Sequence, residues 1–209
     1  MSRFKTGLCL VTLLHLSPVH ARQHPAVEAV LEKYGWQSFQ EAEEIRFVFH
    51  QKLLGLGPSH AWIWHPRSDS VTSVDKGITY SRKSMDRDQR SLDKKFVNDM
   101  YWLTFPFHLA MDKGVRIDVD SALSLSPIKK DTLLRLVVTY VQPQGYTPGD
   151  RYELFTAPDG LIKEWVYHRH GGKRGWSWTW EDHAAFSGVL FSRDHREVAH
   201  LYFTDIAVR

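Results

Sequence analysis

Cysteine is almost absent from this chain of 209 residues: Cys9 is the only one, and it lies near the N-terminus. The rest of the sequence therefore supports no disulfide framework, no thiolate metal site and no cysteine nucleophile. Long apolar runs are missing too. The run from Gly7 to Leu16 has about ten residues, half of what a membrane-spanning helix needs. No H-E-x-x-H pair, G-x-S-x-G elbow or phosphate-binding glycine loop occurs. Neither sign of charge dominates, 27 Lys+Arg standing against 24 Asp+Glu. Basic pairs such as Arg82-Lys83 and Lys129-Lys130 are short and alternate with acids, a solvated surface rather than a nucleic-acid footprint. What is abundant is aromatic: eight Trp, eight Tyr and eleven Phe, within a hydrophobic fraction of 43%. That load suits a β-rich fold with a substantial core and excludes disorder.

The first residues read as an export signal. Arg3 and Lys5 precede the apolar run, Ser17-Pro18 ends it, and Val19-His20-Ala21 sets out a cleavage site. Residues 1–21 are expected to be a signal peptide cleaved after Ala21. Residues 22–209 are expected to form a single β-rich domain, since no Pro-, Gly- or Ser-rich linker and no internal repeat divides them. The mature chain would carry 25 basic residues against 24 acidic ones, no cysteine and no transmembrane segment. Its expected location is the periplasm or outside the cell.

His24 to Tyr34 reads as an amphipathic helix. Pro25 suits a first helical position, Val27, Val30, Leu31 and Tyr34 follow the i, i+3, i+4, i+7 spacing, and Gly35 stops it. From Glu44 to Leu54 the period changes to two, with Ile45, Phe47 and Phe49 on one face. A Gly-Leu-Gly-Pro turn at 55–58 leads to Ala61–His65, where Trp62 and Trp64 share a face, and short strands follow at 71–74 and 78–81. Arg82 to Arg90 reads as an exposed loop, and Ser91 to Leu103 as a helix ended by Phe105-Pro106-Phe107. From Val115 onward strand signals dominate. They run through Leu133–Val141, Arg151–Phe155, Leu161–His168, Trp176–Glu181, Val189–His195 and His200–Val208, with a hairpin turn at Ala157-Pro158-Asp159-Gly160. The class is mainly β with some helix (α+β), in a largely antiparallel meander.

Several segments carry a family resemblance. They are Trp62-Ile63-Trp64, the stretch Phe96-Val97-Asn98-Asp99-Met100-Tyr101-Trp102-Leu103 with Phe105-Pro106, the stretch Gly145 to Leu154 (GYTPGDRYEL), Trp165-Val166-Tyr167, and Thr179-Trp180-Glu181-Asp182. Over residues 25–208 the chain resembles a family of exported bacterial proteins of unknown function, itself remotely similar to the lipoprotein-carrier (LolA/LolB-like) architecture. The resemblance implies a strongly curved antiparallel sheet or incomplete barrel, with a few helices covering the concave face. In the characterised carriers that cavity holds acyl chains. No catalytic residue carries over. The chain has no lipobox, so it is more similar to the soluble carrier than to the membrane-anchored receptor.

Trp62, Trp64, Trp102, Phe105, Trp165, Trp178 and Trp180 are the candidate ligand-binding residues, because a sheet that does not close must cover its concave aromatic face. Plain core packing is the competing fate. The helix at 91–103 is a candidate movable lid. In the GYTPGD loop, Tyr146, Thr147 and Asp150 are candidate rim residues, or else Asp150 caps backbone N–H groups in a tight turn. His168 and His170 share a strand face and, with Asp182, His183 or His195, would suit zinc. No ligand pair has helical spacing, so hydrogen-bonded histidines are expected and no metal or cofactor. Glu153 and Glu164 are expected as exposed partners of Arg151 and Lys163, and Glu181-Asp182 point to opposite faces.

The function expected from these features is non-catalytic binding of a lipid or other hydrophobic ligand in an aromatic-lined cavity. Two alternatives stay open. One is an envelope or extracellular hydrolase-like enzyme using histidines and carboxylates as acid–base groups. The other is an envelope protein-interaction module with a filled core. No nucleic acid is expected as a partner.

Overall fold

A computed structural model of the chain describes residues 24–142, 148–197 and 199–209. The expected signal peptide, Cys9, Tyr146 and Thr147 lie outside these residues. Helix α1 (Pro25–Tyr34) begins where His24 accepts a hydrogen bond from the Ala26 N–H, and it buries Val27, Val30 and Tyr34, the positions that its spacing assigns to one face. A short α2 (Trp36–Glu41) follows.

Among the described residues thirteen strands come next, interrupted by one long helix. They are β1 (Ile45–Lys52), β2 (Ser59–His65), β3 (Ser70–Ser73), β4 (Ile78–Ser81), then α3 (Arg87–Met111). After the helix come β5 (Val115–Val119), β6 (Ser124–Leu125), β7 (Thr132–Tyr140), β8 (Arg151–Thr156) and β9 (Ile162–His168). The last four are β10 (Trp176–Thr179), β11 (Glu181–Phe186), β12 (Val189–Arg196) and β13 (His200–Val208). The fold is mostly β. Its two antiparallel sheets have the orders β11-β12-β13-β1-β2-β3-β4 and β10-β9-β8-β7-β5, with β6 on β7, and neither closes into a barrel.

The expected single strand Trp176–Glu181 is two strands, and here the chain changes sheets. Trp180 still donates its N–H to the Lys163 carbonyl at 2.7 Å, whereas Glu181 already pairs with Asp194 of β12. Thr179 links the two layers: its hydroxyl accepts the Arg196 N–H at 3.1 Å, and its carbonyl accepts His195 Nδ1–H at 3.1 Å.

Helix α3 departs furthest from expectation. It starts four residues earlier than its apolar spacing indicates, at a capping box in which Asp86 and Gln89 satisfy each other's backbone N–H. It also runs through Pro106 to Met111, about 37 Å in all. Proline withholds only the N–H that would reach the Trp102 carbonyl, and that carbonyl lies beside the buried His195 ring. Packing on both flanks outweighs the break. Phe96 meets Trp62 and Trp64 of the larger sheet at 5.5 and 5.9 Å between centroids. Phe105 meets Tyr152 and Trp165 of the smaller sheet at 4.7 and 5.1 Å. A helix held between two sheets is part of the core, so the movable-lid expectation for residues 91–103 is corrected. Of the expected exposed loop at 82–90, most residues are exposed, but 87–90 are the first turn of α3. Arg82 is half-buried, its guanidinium 2.9 Å from Asp93 and 3.0 Å from Asp69.

Candidate functional site

The helix does not fill the whole space. Along one side of α3 the residues Lys94, Val97, Asn98, Tyr101 and Trp102 recur at i, i+3, i+4, i+7, i+8 and form one wall of a groove. The facing wall comes from β8 and β9, whose alternation turns Tyr152, Trp165 and Tyr167 toward the helix. Pro148, Asp150 and His170 close one end. The groove has a volume of about 550 Å³, within the range of small-molecule sites.

The floor is aromatic and tightly ordered. Trp102 stands edge-on to Trp165 and Trp178, and Tyr152 lies 5.2 Å from Trp165 and 5.1 Å from Tyr167 between centroids. The indole N–H groups of Trp165 and Trp178 are buried and have no hydrogen-bond partner among the described residues. The core indoles of Trp64 and Trp180 share this property, so it does not single out the groove.

At the rim, the buried Asp150 accepts the Tyr167 hydroxyl at 2.9 Å and the His170 N–H at 2.8 Å. The backbone-capping reading of Asp150 thus describes what its side chain does here. Burial, and then that hydrogen bond to Asp150, push the Tyr167 hydroxyl up to about 12. Burial likewise pushes Tyr152 far above the usual phenol range. Both tyrosines are neutral at ordinary pH. They offer hydrogen bonds, not phenolate bases.

Beneath the groove lies a polar chain on α3 at i, i+4, i+8. Thr104 Oγ is 3.2 Å from His108 Nε2, and His108 Nδ1 donates to Asp112 Oδ1 at 2.9 Å. Tyr101 and Tyr140 donate to the other oxygen of Asp112 at 2.9 and 2.6 Å. Burial alone would raise the Asp112 carboxyl, but His108 beside it and these hydroxyls hold it below the usual carboxylate range. The order nucleophile, base, acid has the form of a catalytic triad. Thr104 is nevertheless fully buried and donates to the Met100 carbonyl at 2.8 Å, which leaves a substrate no approach.

The seven aromatic candidates separate. Trp102 and Trp165 line the groove, and Trp178 packs on Trp102. Trp62 and Trp64 belong to the other sheet, Trp62 donating to the buried Asp99 at 2.9 Å. Phe105 and Trp180 are core residues within a ring's width of Trp165. A single cavity lined by all seven is therefore not what the fold contains. The groove residues Lys94, Asn98, Tyr101, Tyr152 and Tyr167 were not among the candidates, although the helical stripe from Lys94 to Trp102 was readable.

The histidines disperse as well. His168 Nε2 is 2.9 Å from Glu153 on the outer face of the smaller sheet, His183 is bonded to the Tyr34 hydroxyl at 3.1 Å, and His195 is buried. Among the described residues no three His, Asp or Glu converge as a metal site. Glu153 does hold Arg135 and Arg151, at 3.1 and 3.4 Å. Glu164 does not become an exposed partner of Lys163. It is fully buried, where it accepts the Ser126 hydroxyl and the N–H groups of Ile128 and Lys129 at 2.7–2.8 Å.

The fold and site define a two-sheet β protein with a buried helix and an open aromatic groove. No family model matches the chain, and no curated protein matches it significantly in sequence. Among solved structures it is similar to a DUF1329 family protein from Desulfovibrio piger. The two are 12% identical over 88% of this chain and 93% of that one, with a TM-score of 0.45. No helix among the described residues is long and apolar enough to cross a membrane.

Proposed function

We propose that this is an exported protein, periplasmic or secreted, that binds a lipid or other hydrophobic ligand without catalysis in the groove between α3 and β8–β9. The observation that carries the reading is the aromatic floor of Trp102, Trp165, Tyr152 and Tyr167, with Trp102 and Tyr167 partly exposed at the groove. Covering such a floor gains about 25 cal/mol for each Å² of apolar surface removed from water. The ligand lies against a fixed wall, since α3 is anchored on both flanks. Asp150, Tyr167 and His170 supply the polar end that orients it.

The test is native mass spectrometry of protein expressed from the full sequence and recovered from the periplasm without detergent, with lipid extraction in parallel. A reproducible bound lipid that is lost in Trp102→Ala supports the reading. Protein that stays empty after incubation with lipid overturns it. The intact mass also reports whether residues 1–21 are gone, and their retention would overturn cleavage after Ala21.

A further inference from the structure

The end of the groove that His170 closes is also the most cationic turn of the chain. Between His168 and Gly175 stand Arg169, His170, Lys173 and Arg174, spaced by glycines and without one acidic residue. All four are exposed. Elsewhere Arg46, Arg82, Arg135, Arg193 and Arg196 each lie against a carboxylate. Arg169, Lys173 and Arg174 lie against none among the described residues, and neither does Lys94 on the opposite wall of the groove. Among the described residues two acids lie close by. Asp150 is buried with both oxygens engaged, by the Tyr167 hydroxyl and the His170 N–H, and it lies 3.9 Å from His170 Nδ1. Glu153 lies against His168, Arg135 and Arg151.

The turn is held in shape rather than left loose. His170 has a positive φ of 50°, stabilised by the bond from its N–H to Asp150, and its Nδ1 donates to the Pro148 carbonyl at 3.2 Å. Nε2 of this groove-lining ring has no partner among the described residues. Gly172 N–H closes the turn on the Arg169 carbonyl at 3.0 Å. Arg174 lies over the Trp176 ring at 5.8 Å, and Trp176 stacks on Tyr167, which lines the groove. The cations are thus joined to the aromatic floor by a continuous set of contacts.

We infer that the Arg169–Arg174 turn is a head-group site for a phosphate-type anion, so that the ligand of the groove is an anionic amphiphile. This rests on the hydrophobic-ligand reading above and names its chemical class. The apolar part lies over Trp102 and Trp165, and the anionic head lies between His170, the turn and Lys94. Clustered cations near an anionic lipid surface each strengthen binding severalfold, so three together give a preference large enough to measure.

The experiment compares monomeric amphiphiles with one common fourteen-carbon chain, titrated against the full protein by its tryptophan fluorescence. Lysophosphatidylglycerol carries a net anionic phosphate, lysophosphatidylcholine a phosphate neutralised within the head, and tetradecyl maltoside no charge. Inorganic phosphate alone is the fourth probe. Expected is a dissociation constant for the lysophosphatidylglycerol at least about tenfold below that for the maltoside. In the triple variant Arg169→Ser, Lys173→Ser, Arg174→Ser that preference should collapse while maltoside binding persists, which also shows that the variant is folded. Equal binding of all three amphiphiles, or a preference that survives the triple variant, overturns the head-group site and leaves the hydrophobic groove intact. Inorganic phosphate binding as tightly as the amphiphile would identify the source as a free anion and overturn the amphiphile. Binding of none of the four would overturn both readings.

Discussion

Trp102 of α3 and Trp165 of β9 meet edge to face, their ring centroids 4.5 Å apart at 63°. This contact ties the long helix to the smaller sheet and at the same time forms the floor of the groove. Truncating Trp102 to Ala removes that contact and a second one to Trp178. Because the ring is only partly buried, the loss should be about 2–3 kcal/mol, below the range for a fully buried tryptophan. Urea unfolding checks it, and Trp102→Phe should recover most of the loss. A cost under about 0.5 kcal/mol would show that the pair carries little of the helix's anchorage.

Acid should loosen the core through His195. Burial pushes its pKa down to about 4 from an ordinary 6.5. Above 6.5 the ring is neutral in both states and contributes nothing to the pH dependence. Between 6.5 and 4 the unfolded chain takes up a proton that the folded chain refuses, so stability falls as pH falls. The loss amounts to about 3 kcal/mol by pH 4. His183, also pushed down to about 4, first by burial and then by Lys163 and Lys33, acts in the same direction. In His195→Phe the difference in unfolding free energy between pH 7 and pH 4.5 should shrink by about 2–3 kcal/mol relative to the unaltered protein. An unchanged difference would mean that the buried ring does not resist protonation.

The β8–β9 hairpin meets helix α1 through the Lys33–Asp159 ion pair, the Ile162 N–H to Tyr34 bond and a close approach at Gly160. Gly160 has φ +83°, and a Cβ there would sit 2.2 Å from the Ala29 carbonyl oxygen. Gly160→Ala should cost more than about 2 kcal/mol, combining left-handed strain with a clash against helix backbone. Gly77, at φ +64°, faces open space. Gly77→Ala should cost about 1 kcal/mol from backbone strain alone. Equal midpoints in denaturant for the two variants would refute the contact.

Glu164 organises a loop rather than the surface. Its two carboxylate oxygens hold the Ser126 hydroxyl and the N–H groups of Ile128 and Lys129. Glu164→Gln puts an amide N–H where an acceptor is needed, which should cost about 2 kcal/mol. Trypsin should then cut faster after Lys129 or Lys130, and an unaltered cleavage rate would count against this role.

Much of the secondary structure was legible in the chain. The alternation of Ile45, Phe47 and Phe49 marks β1, and Pro158-Asp159-Gly160 marks the turn between β8 and β9, because these signals are local. Helix α3 was half legible. Its stripe is obscured because a helix between two sheets buries two flanks, and because Asp93, Asp99, Thr104 and His108 are buried with hydrogen bonds among apolar neighbours. Pattern reading takes such residues for a solvated face. The place of His170 at the end of the groove was not readable, because it depends on the pairing of β8 with β9.

By itself, then, the sequence determined which segments extend, which coil and which side chains leave water, since backbone sterics and the period of apolar residues act over a few positions. Tertiary structure alone decided what those side chains meet. It set β13 against β1, with Phe203 opposite Phe49, and carried the chain from one sheet to the other at Trp180. It also sent Trp62 and Trp64 to one side of α3 and Trp102 and Trp165 to a groove on the other. Alternation records that a face is buried. Only long-range pairing, fixed by packing the whole core at once, selects its partner.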